Sequence, residues 1–346
     1  MSMVRCDALK RQLSSFGGRR STNYYTGKGW KQDYERARRD RRNGGSVATT
    51  TTTTVGTIVE VPAPASVDSI EHGAFVIPHP AKVDKGGEDS YFTYERRSSS
   101  NEVYSITMGV ADGVSGWAED GVDPALYARE LSKYGKDAAF LWGDPFEVLD
   151  YAHAKAESLG SSTFTVATVD CDSGGILLRY SNVGDSGVKV FRRGSVVAAS
   201  SVQEHYFNCP KQLANPKKVS QCDTPDAAEG EEVKLRSGDV VVLATDGVFD
   251  NMFDKDIGRI VGKRGKSAGG MAEMIARKAS DNSRDKNYVS PFAAEAFALS
   301  KKEESMAVPN GINGLLASLG IKKEENPYAG GKPDDITAVV AIVGKH

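Results

Sequence analysis

Cysteine is scarce in this sequence. The four cysteines, Cys6, Cys171, Cys209 and Cys222, form no CxxC pair and no even scaffold of spacings. Their arrangement argues against a disulfide framework and suits structural thiols in a reducing compartment. None begins a Cys-x5-Arg anion loop, which removes one class of thiolate nucleophile. Histidine is also rare, with 5 in the whole chain. No two of them are spaced as a zinc site needs. No apolar run approaches the roughly 18 residues of a membrane helix, so no membrane span is expected.

Net charge is nearly absent as well, at −2, but the sum hides an uneven distribution. Residues 1–45 hold 12 Lys/Arg and 4 Asp/Glu (+8), while the remainder holds 32 and 42 (−10). An acidic body presents no cationic face to a phosphate backbone, so nucleic acid is not expected as a partner. The leader "MSMVRCDALKRQLSSFGGRRSTNYYTGKGW" carries arginine and serine, a single acid and no apolar h-region. Those features fit an organelle transit peptide better than a secretory signal. A disordered basic arm, or a nuclear signal at "RARRDRR", is the plainer alternative. The tract "VATTTTTTVGT" then reads as a linker. The expected organisation is a leader and linker over residues 1–67, then one unit over 68–346 with a surface excursion at about 293–331. The hydrophobic content of 39% is enough to bury one large core or two small ones.

β-branched, apolar segments predict strands at 90–95, 102–111, 163–170, 175–183, 187–193, 239–245 and 336–343. Connections such as "CDSGG" and "GDSG" are too short for a crossover helix, so these neighbours should pair antiparallel. Helical patterns cover 123–135, 144–160 and 269–282, the first two ending at Gly135 and Gly160. A short helix is expected at "INGLLASLG". The fold class is therefore α+β, with antiparallel sheets stacked on each other and helices outside.

Acidic residues gather where these strands end. "VADGVSGWAED" runs a buried strand into Asp112 and Gly113, and "VVVLATDGVFDNM" does the same at Asp246 and Gly247. "KGGEDSYF" sets Glu88 and Asp89 just before a strand, and "GGKPDDITAVVAIV" sets Asp334 and Asp335 likewise. One Asp-Gly is an ordinary turn; four acidic corners at apolar strand ends are a pattern. If those ends converge, carboxylates repel one another unless cations intervene. Two divalent ions would balance four carboxylates, and an all-oxygen set favours Mn²⁺ or Mg²⁺ over zinc. Such a site makes hydroxide and clamps a phosphoryl group.

"GGEDSYF", "GVADGVSGW", "NVGDSG", "LATDGVFDNM" and "GKPDDIT", in this order, resemble the type 2C (PPM family) metal-dependent serine/threonine protein phosphatases. "IPHPAKVDKGGED", "LYAREL", "HYFNCPKQL", "TPDAAEGEEVKLRSGD" and "NYVSPFA" resemble its compact mitochondrial and plant organellar branch. The likeness covers roughly residues 70 to 345. It implies an α-β-β-α sandwich of two antiparallel sheets flanked by helices, with the metals at one end. It also implies hydrolysis of phosphoserine and phosphothreonine by a hydroxide bridging two Mn²⁺ or Mg²⁺ ions, with no covalent intermediate. Asp112 would bridge both ions, Glu88 and the Gly113 carbonyl would complete one, and Asp246 and Asp334 would hold the other. Asp89 and Asp335 would act behind the ligands, and Asp185 reads as a hairpin turn. Phosphoproteins are the implied substrates, a monomer the implied state. The mitochondrial matrix is the expected address, with the plastid second.

Several positions depart from the pattern. Many relatives carry a histidine directly after the Asp-Gly, proposed as the acid for the leaving oxygen; here it is Val114, which transfers no proton. His79 and His205 stand elsewhere without an assigned role. The phosphate-gripping arginine is missing, with Lys82, ahead of Lys85, as the candidate substitute. Ser158 replaces an aspartate linked to a weak third ion, so none is expected, although Asp250 is placed to contact one. Two rivals remain. "TVATVDCDSGG" imitates, at Asp170 and Asp172, the nucleophile loop of haloacid-dehalogenase-like phosphatases, which need a parallel sheet. A catalytically weak binding module is the other, suggested by Val114 and the missing arginine.

Overall fold

The computed structural model describes residues 69–305 and 329–344, except 173 and 264. The predicted leader and linker, and the "INGLLASLG" helix, lie outside the described residues. In chain order the strands are β1 (Ile70–Ile77), β2 (Asp89–Arg97), β3 (Val103–Asp112), β4 (Ser161–Ser162), β5 (Phe164–Asp172), β6 (Gly175–Val183) and β7 (Gly187–Arg192). They continue with β8 (Ser195–Ala199), β9 (Glu204–Tyr206), β10 (Cys209–Pro210), β11 (Leu213–Ala214), β12 (Glu229–Leu235), β13 (Val240–Ala244) and β14 (Ile336–Val343). The α-helices are α1 (Ala125–Leu141), α2 (Pro145–Lys155), α3 (Asp246–Phe249), α4 (Asp254–Val261), α5 (Ala268–Arg284) and α6 (Pro291–Ser305).

Two five-stranded sheets carry the fold, in the orders β1-β14-β13-β7-β8 and β12-β6-β5-β3-β2. Every pairing within them is antiparallel. The sequence of β14, "ITAVVAIV", shows why the layers stack. Ile336, Ala338, Val340 and Ile342 pack toward α5, beside Met271, Ile275 and Ala279. Val339, Ala341 and Val343 point the other way, into a core shared with Ile106, Met108, Val169 and Leu178 of the second sheet. A strand apolar on both faces must be covered on both, and each fully buried Val or Ile contributes roughly 1.5–3 kcal/mol. The outer face of the second sheet takes α1 and α2 through Phe92, Phe164, Tyr127, Leu131 and Leu149. The order is helix, sheet, sheet, helix, as expected.

The helices differ in detail from the sequence expectation. α2 starts as predicted, with Asp144 accepting from the Phe146 and Glu147 N–H groups and Pro145 in the first turn. α1, however, runs on through Gly135 to Leu141. Gly135 is there for close packing rather than termination, since a Cβ would lie 2.6 Å from the Phe92 ring. α2 ends at Lys155, short of Gly160. The stretch from 293, expected as a surface excursion, begins inside α6, where Phe292, Ala293 and Ala296 are buried.

Candidate active site

Strand register decides which acidic residues meet. In the β2–β3 pair Asp89 stands opposite Asp112, with Glu88 and Gly113 just beyond the pair. In the other sheet Ala244 of β13 stands opposite Ala338 of β14. Asp246 therefore leaves β13 at the same end at which Asp334 and Asp335 enter β14. The two ends are tied across the sandwich by Thr245, whose hydroxyl donates to Asp89 Oδ2 at 2.8 Å. Gly113 donates its N–H to the Glu88 carbonyl, and a side chain there would collide with the Pro124 carbonyl at 2.5 Å.

All nine predicted site residues, Lys82, Glu88, Asp89, Asp112, Gly113, Asp246, Asp250, Asp334 and Asp335, come together at this end of the sandwich. Asp335 is 2% exposed and organises one side. Its Oδ1 accepts the His79 N–H at 2.7 Å, and its Oδ2 accepts the Glu88 N–H at 3.0 Å and Lys82 Nζ at 3.2 Å. Lys82 Nζ also donates to Glu88 Oε2 at 2.7 Å and to Ser115 Oγ at 2.9 Å. On the other side Lys332 Nζ meets Asp246 Oδ2 at 2.5 Å and Asp250 Oδ2 at 2.7 Å. Asp334 Oδ2 lies 3.7 Å away. Among the described residues no three His, Cys, Asp or Glu side chains are drawn around a common point. The two ammonium groups stand between the carboxylates instead.

The electrostatics record the crowding. Burial, reinforced by Asp335, pushes the Asp89 carboxyl well above its usual range. Burial, then the charges of Asp246, Asp89 and Asp334, does the same to Asp112. Asp185 rises for the same reasons, burial first and Asp246 next. Burial lifts Asp250 to about 6 and, with Asp246 adding, Asp334 to about 7. For Asp246 burial is outweighed by the Lys332 ammonium and by hydrogen bonds, so its carboxyl lies below the ordinary value. The buried oxygens Asp89 Oδ1, Asp185 Oδ1 and Asp246 Oδ1 have no hydrogen-bond donor. Buried carboxylate oxygens without donors, in an all-oxygen setting, suit hard divalent cations.

The carboxylates open onto a cavity of about 730 Å³. Val114, His79, Tyr206, Phe207 and Phe292 line it beside Asp112, Asp185, Asp246 and Asp334. The Phe207 and Phe292 rings stack at 5.0 Å. His205 is paired with Asp223 at 2.9 Å and does not line the cavity. Sequence reasoning missed Lys332, which resembles any loop lysine. It placed Asp185 in the β6–β7 turn, where it is, but not in the cavity wall. The haloacid-dehalogenase alternative is excluded: β5 and β6 form an antiparallel hairpin, and Asp170 is engaged by Arg179 at 2.6 Å and by Ser105. That pair sits at the other end of β3 from Asp112.

No family model matches the chain. Curated relatives do. "Probable protein phosphatase 2C 26" of Arabidopsis thaliana is 38% identical over 279 residues, covering 80% of this chain and 84% of its own length. "Protein phosphatase PTC7 homolog" of Homo sapiens is 34% identical over 277 residues, covering 75% of this chain and 82% of its own. A solved structure described as the photosystem II phosphatase PBCP superposes with a TM-score of 0.63 at 34% identity, covering 80% of this chain and 100% of its own. With relatives at this identity over most of both lengths, and with the same two-sheet sandwich, the chain belongs to the protein phosphatase 2C family of protein serine/threonine phosphatases.

Proposed function

We propose that this phosphatase hydrolyses phosphoserine and phosphothreonine at the acidic end of the sandwich, with two Mn²⁺ or Mg²⁺ ions held by Glu88, Asp112, the Gly113 carbonyl, Asp246 and Asp334. The observation that carries the reading is the pair of buried carboxylate oxygens without donors, Asp185 Oδ1 and Asp246 Oδ1, on a cavity that Asp112 and Asp334 also line. Bound there, the two ions supply an activated solvent nucleophile and neutralise the phosphoryl oxygens. The chain's own groups do the rest. Asp335 fixes the backbone of Glu88 and His79, and so the position of the Glu88 carboxylate. Thr245 orients Asp89 behind Asp112. Lys82, at the cavity edge, offers its ammonium to a substrate phosphate as a point charge rather than a fork. Val114 contributes shape and no proton. The Tyr206, Phe207 and Phe292 wall excludes water on one side and gives a peptide an apolar surface.

The test is hydrolysis of p-nitrophenyl phosphate and of phosphoserine or phosphothreonine peptides. Activity that requires Mn²⁺ or Mg²⁺, is lost on chelation, and falls at least ~10²-fold in Asp112→Asn and Asp246→Asn is expected. A metal-loaded protein with no turnover leaves only the binding-module reading. Residues 1–67 are proposed as a leader for the mitochondrial matrix, with the plastid as the second address. The likeness to a photosystem II phosphatase makes both worth scoring in one imaging experiment on a fluorescent fusion of residues 1–67.

A further inference from the structure

Among the described residues at the acidic end of the sandwich, Lys332 is a cation that the two-ion reading does not use. Its position is built rather than incidental. The Asn251 side chain brackets its backbone from both sides, with Oδ1 accepting the Lys332 N–H and Nδ2 donating to the Lys332 carbonyl, each at 2.8 Å. Asn251 is itself fully buried and held by Gly247. The preceding Gly331 lies against the end of α5 so closely that a Cβ would meet the Asn282 carbonyl at 2.2 Å. From this fixed backbone the side chain runs under the Phe292 ring, 5.3 Å from Nζ to the centroid, and delivers Nζ between Asp246 and Asp250. The side chain is 15% exposed.

Asp250 is paired with that ammonium. It is not needed for either proposed ion, it stands one helical turn beyond Asp246, and its Oδ2 is held by Lys332. Asp246 Oδ1 and Asp185 Oδ1, both buried, have no donor. The Oδ2 atoms of Asp246 and Asp250 face the Lys332 ammonium instead, a positive charge tethered to the chain and always present. A divalent ion at the same place would bring twice the charge but would have to be bound from solution.

We propose that the Lys332 ammonium occupies a cation position between Asp246 and Asp250, so that the centre takes up two divalent ions and has no room for a third. The proposal rests on the two-ion reading above. The tethered charge also holds Asp246 and Asp250 in place before any metal arrives. A neutral side chain of similar length should open the position to a divalent ion, and that ion should need Asp250.

The experiment counts bound Mn²⁺ by equilibrium dialysis of the purified, metal-stripped full chain, for wild type, Lys332→Arg, Lys332→Met and Lys332→Met/Asp250→Asn. The expected counts are about two for wild type and Lys332→Arg, about three for Lys332→Met, and about two again for the double variant. Should Lys332→Met not fold when stripped of metal, Lys332→Gln carries the same expected count. Counts of about two in wild type, Lys332→Met and Lys332→Gln alike overturn the inference and leave the two-ion reading standing. About three ions in wild type also overturn it. No bound ion in wild type overturns both.

Discussion

Asp335→Asn probes the site through a change of two atoms' chemistry and almost none of shape. The buried carboxylate of Asp335 accepts from three donors, the His79 N–H on one oxygen and the Glu88 N–H and Lys82 Nζ on the other. Asparagine has one acceptor oxygen, and its NH₂ must face either the His79 N–H or the pair on the other side. One buried donor is then unsatisfied, at about 1–3 kcal/mol, and the surviving bonds lose charge assistance, about 1 kcal/mol more. Against this, removing the Asp335 charge relieves Asp89, which it helps to hold protonated. That relief acts in the opposite direction to the lost hydrogen bonds. Three donors outweigh one repelled neighbour, and the net expectation is a loss of about 2–3 kcal/mol. Urea unfolding in chelator, with the midpoint shifted at constant m, measures it. A change below about 0.5 kcal/mol, or a gain, refutes the assignment of Asp335 as the residue that fixes the Glu88 loop.

Two further expectations follow from the cavity and its rim. Burial, with help from Glu295 and Asp250, holds the Glu204 carboxyl up to about 7. The folded state therefore keeps that proton at pH values where the unfolded chain has lost it, and stability falls as pH rises from about 4.5 to about 7. Glu204→Gln should flatten this slope and stabilise at pH 8 by about 1 kcal/mol after solvent screening, read by urea unfolding at pH 5 and 8; parallel slopes in the two proteins contradict it. Phe207→Ala removes half of the aromatic stack that lines the cavity. It should raise KM for a phosphopeptide about tenfold and change p-nitrophenyl phosphate hydrolysis by less than about twofold; equal effects on both substrates would place the aromatic wall outside peptide recognition.

Much of this architecture is legible in the sequence because it rests on local signals. A β-branched run that ends in Asp-Gly announces both a strand and the carboxylate at its mouth, as at Asp112 and Asp246. The order of five short acidic motifs, these two among them, carries the family, and the family carries the layers. What escapes local reading depends on packing between distant segments. Gly135 has the form of a helix stop, yet α1 continues through it because Phe92 of β2 needs the space. α6 opens at Pro291 with Phe292 turned inward, in a stretch without strong periodicity. Lys332 reads as a solvated loop lysine because its burial comes from Asn251 and the end of α5, both remote in sequence. Asp185 is legible as a turn, but the cavity beside it is lined by segments remote in sequence, among them Asp112, Phe207, Asp246 and Asp334.

Anomalous diffraction from crystals soaked in Mn²⁺ tests the central claim most directly. The account predicts two manganese peaks, one among Glu88, Asp112 and the Gly113 carbonyl and one among Asp112, Asp246 and Asp334, with the Lys332 ammonium still against Asp250. No peak at that end of the sandwich, or peaks only on carboxylates elsewhere on the surface, would contradict it.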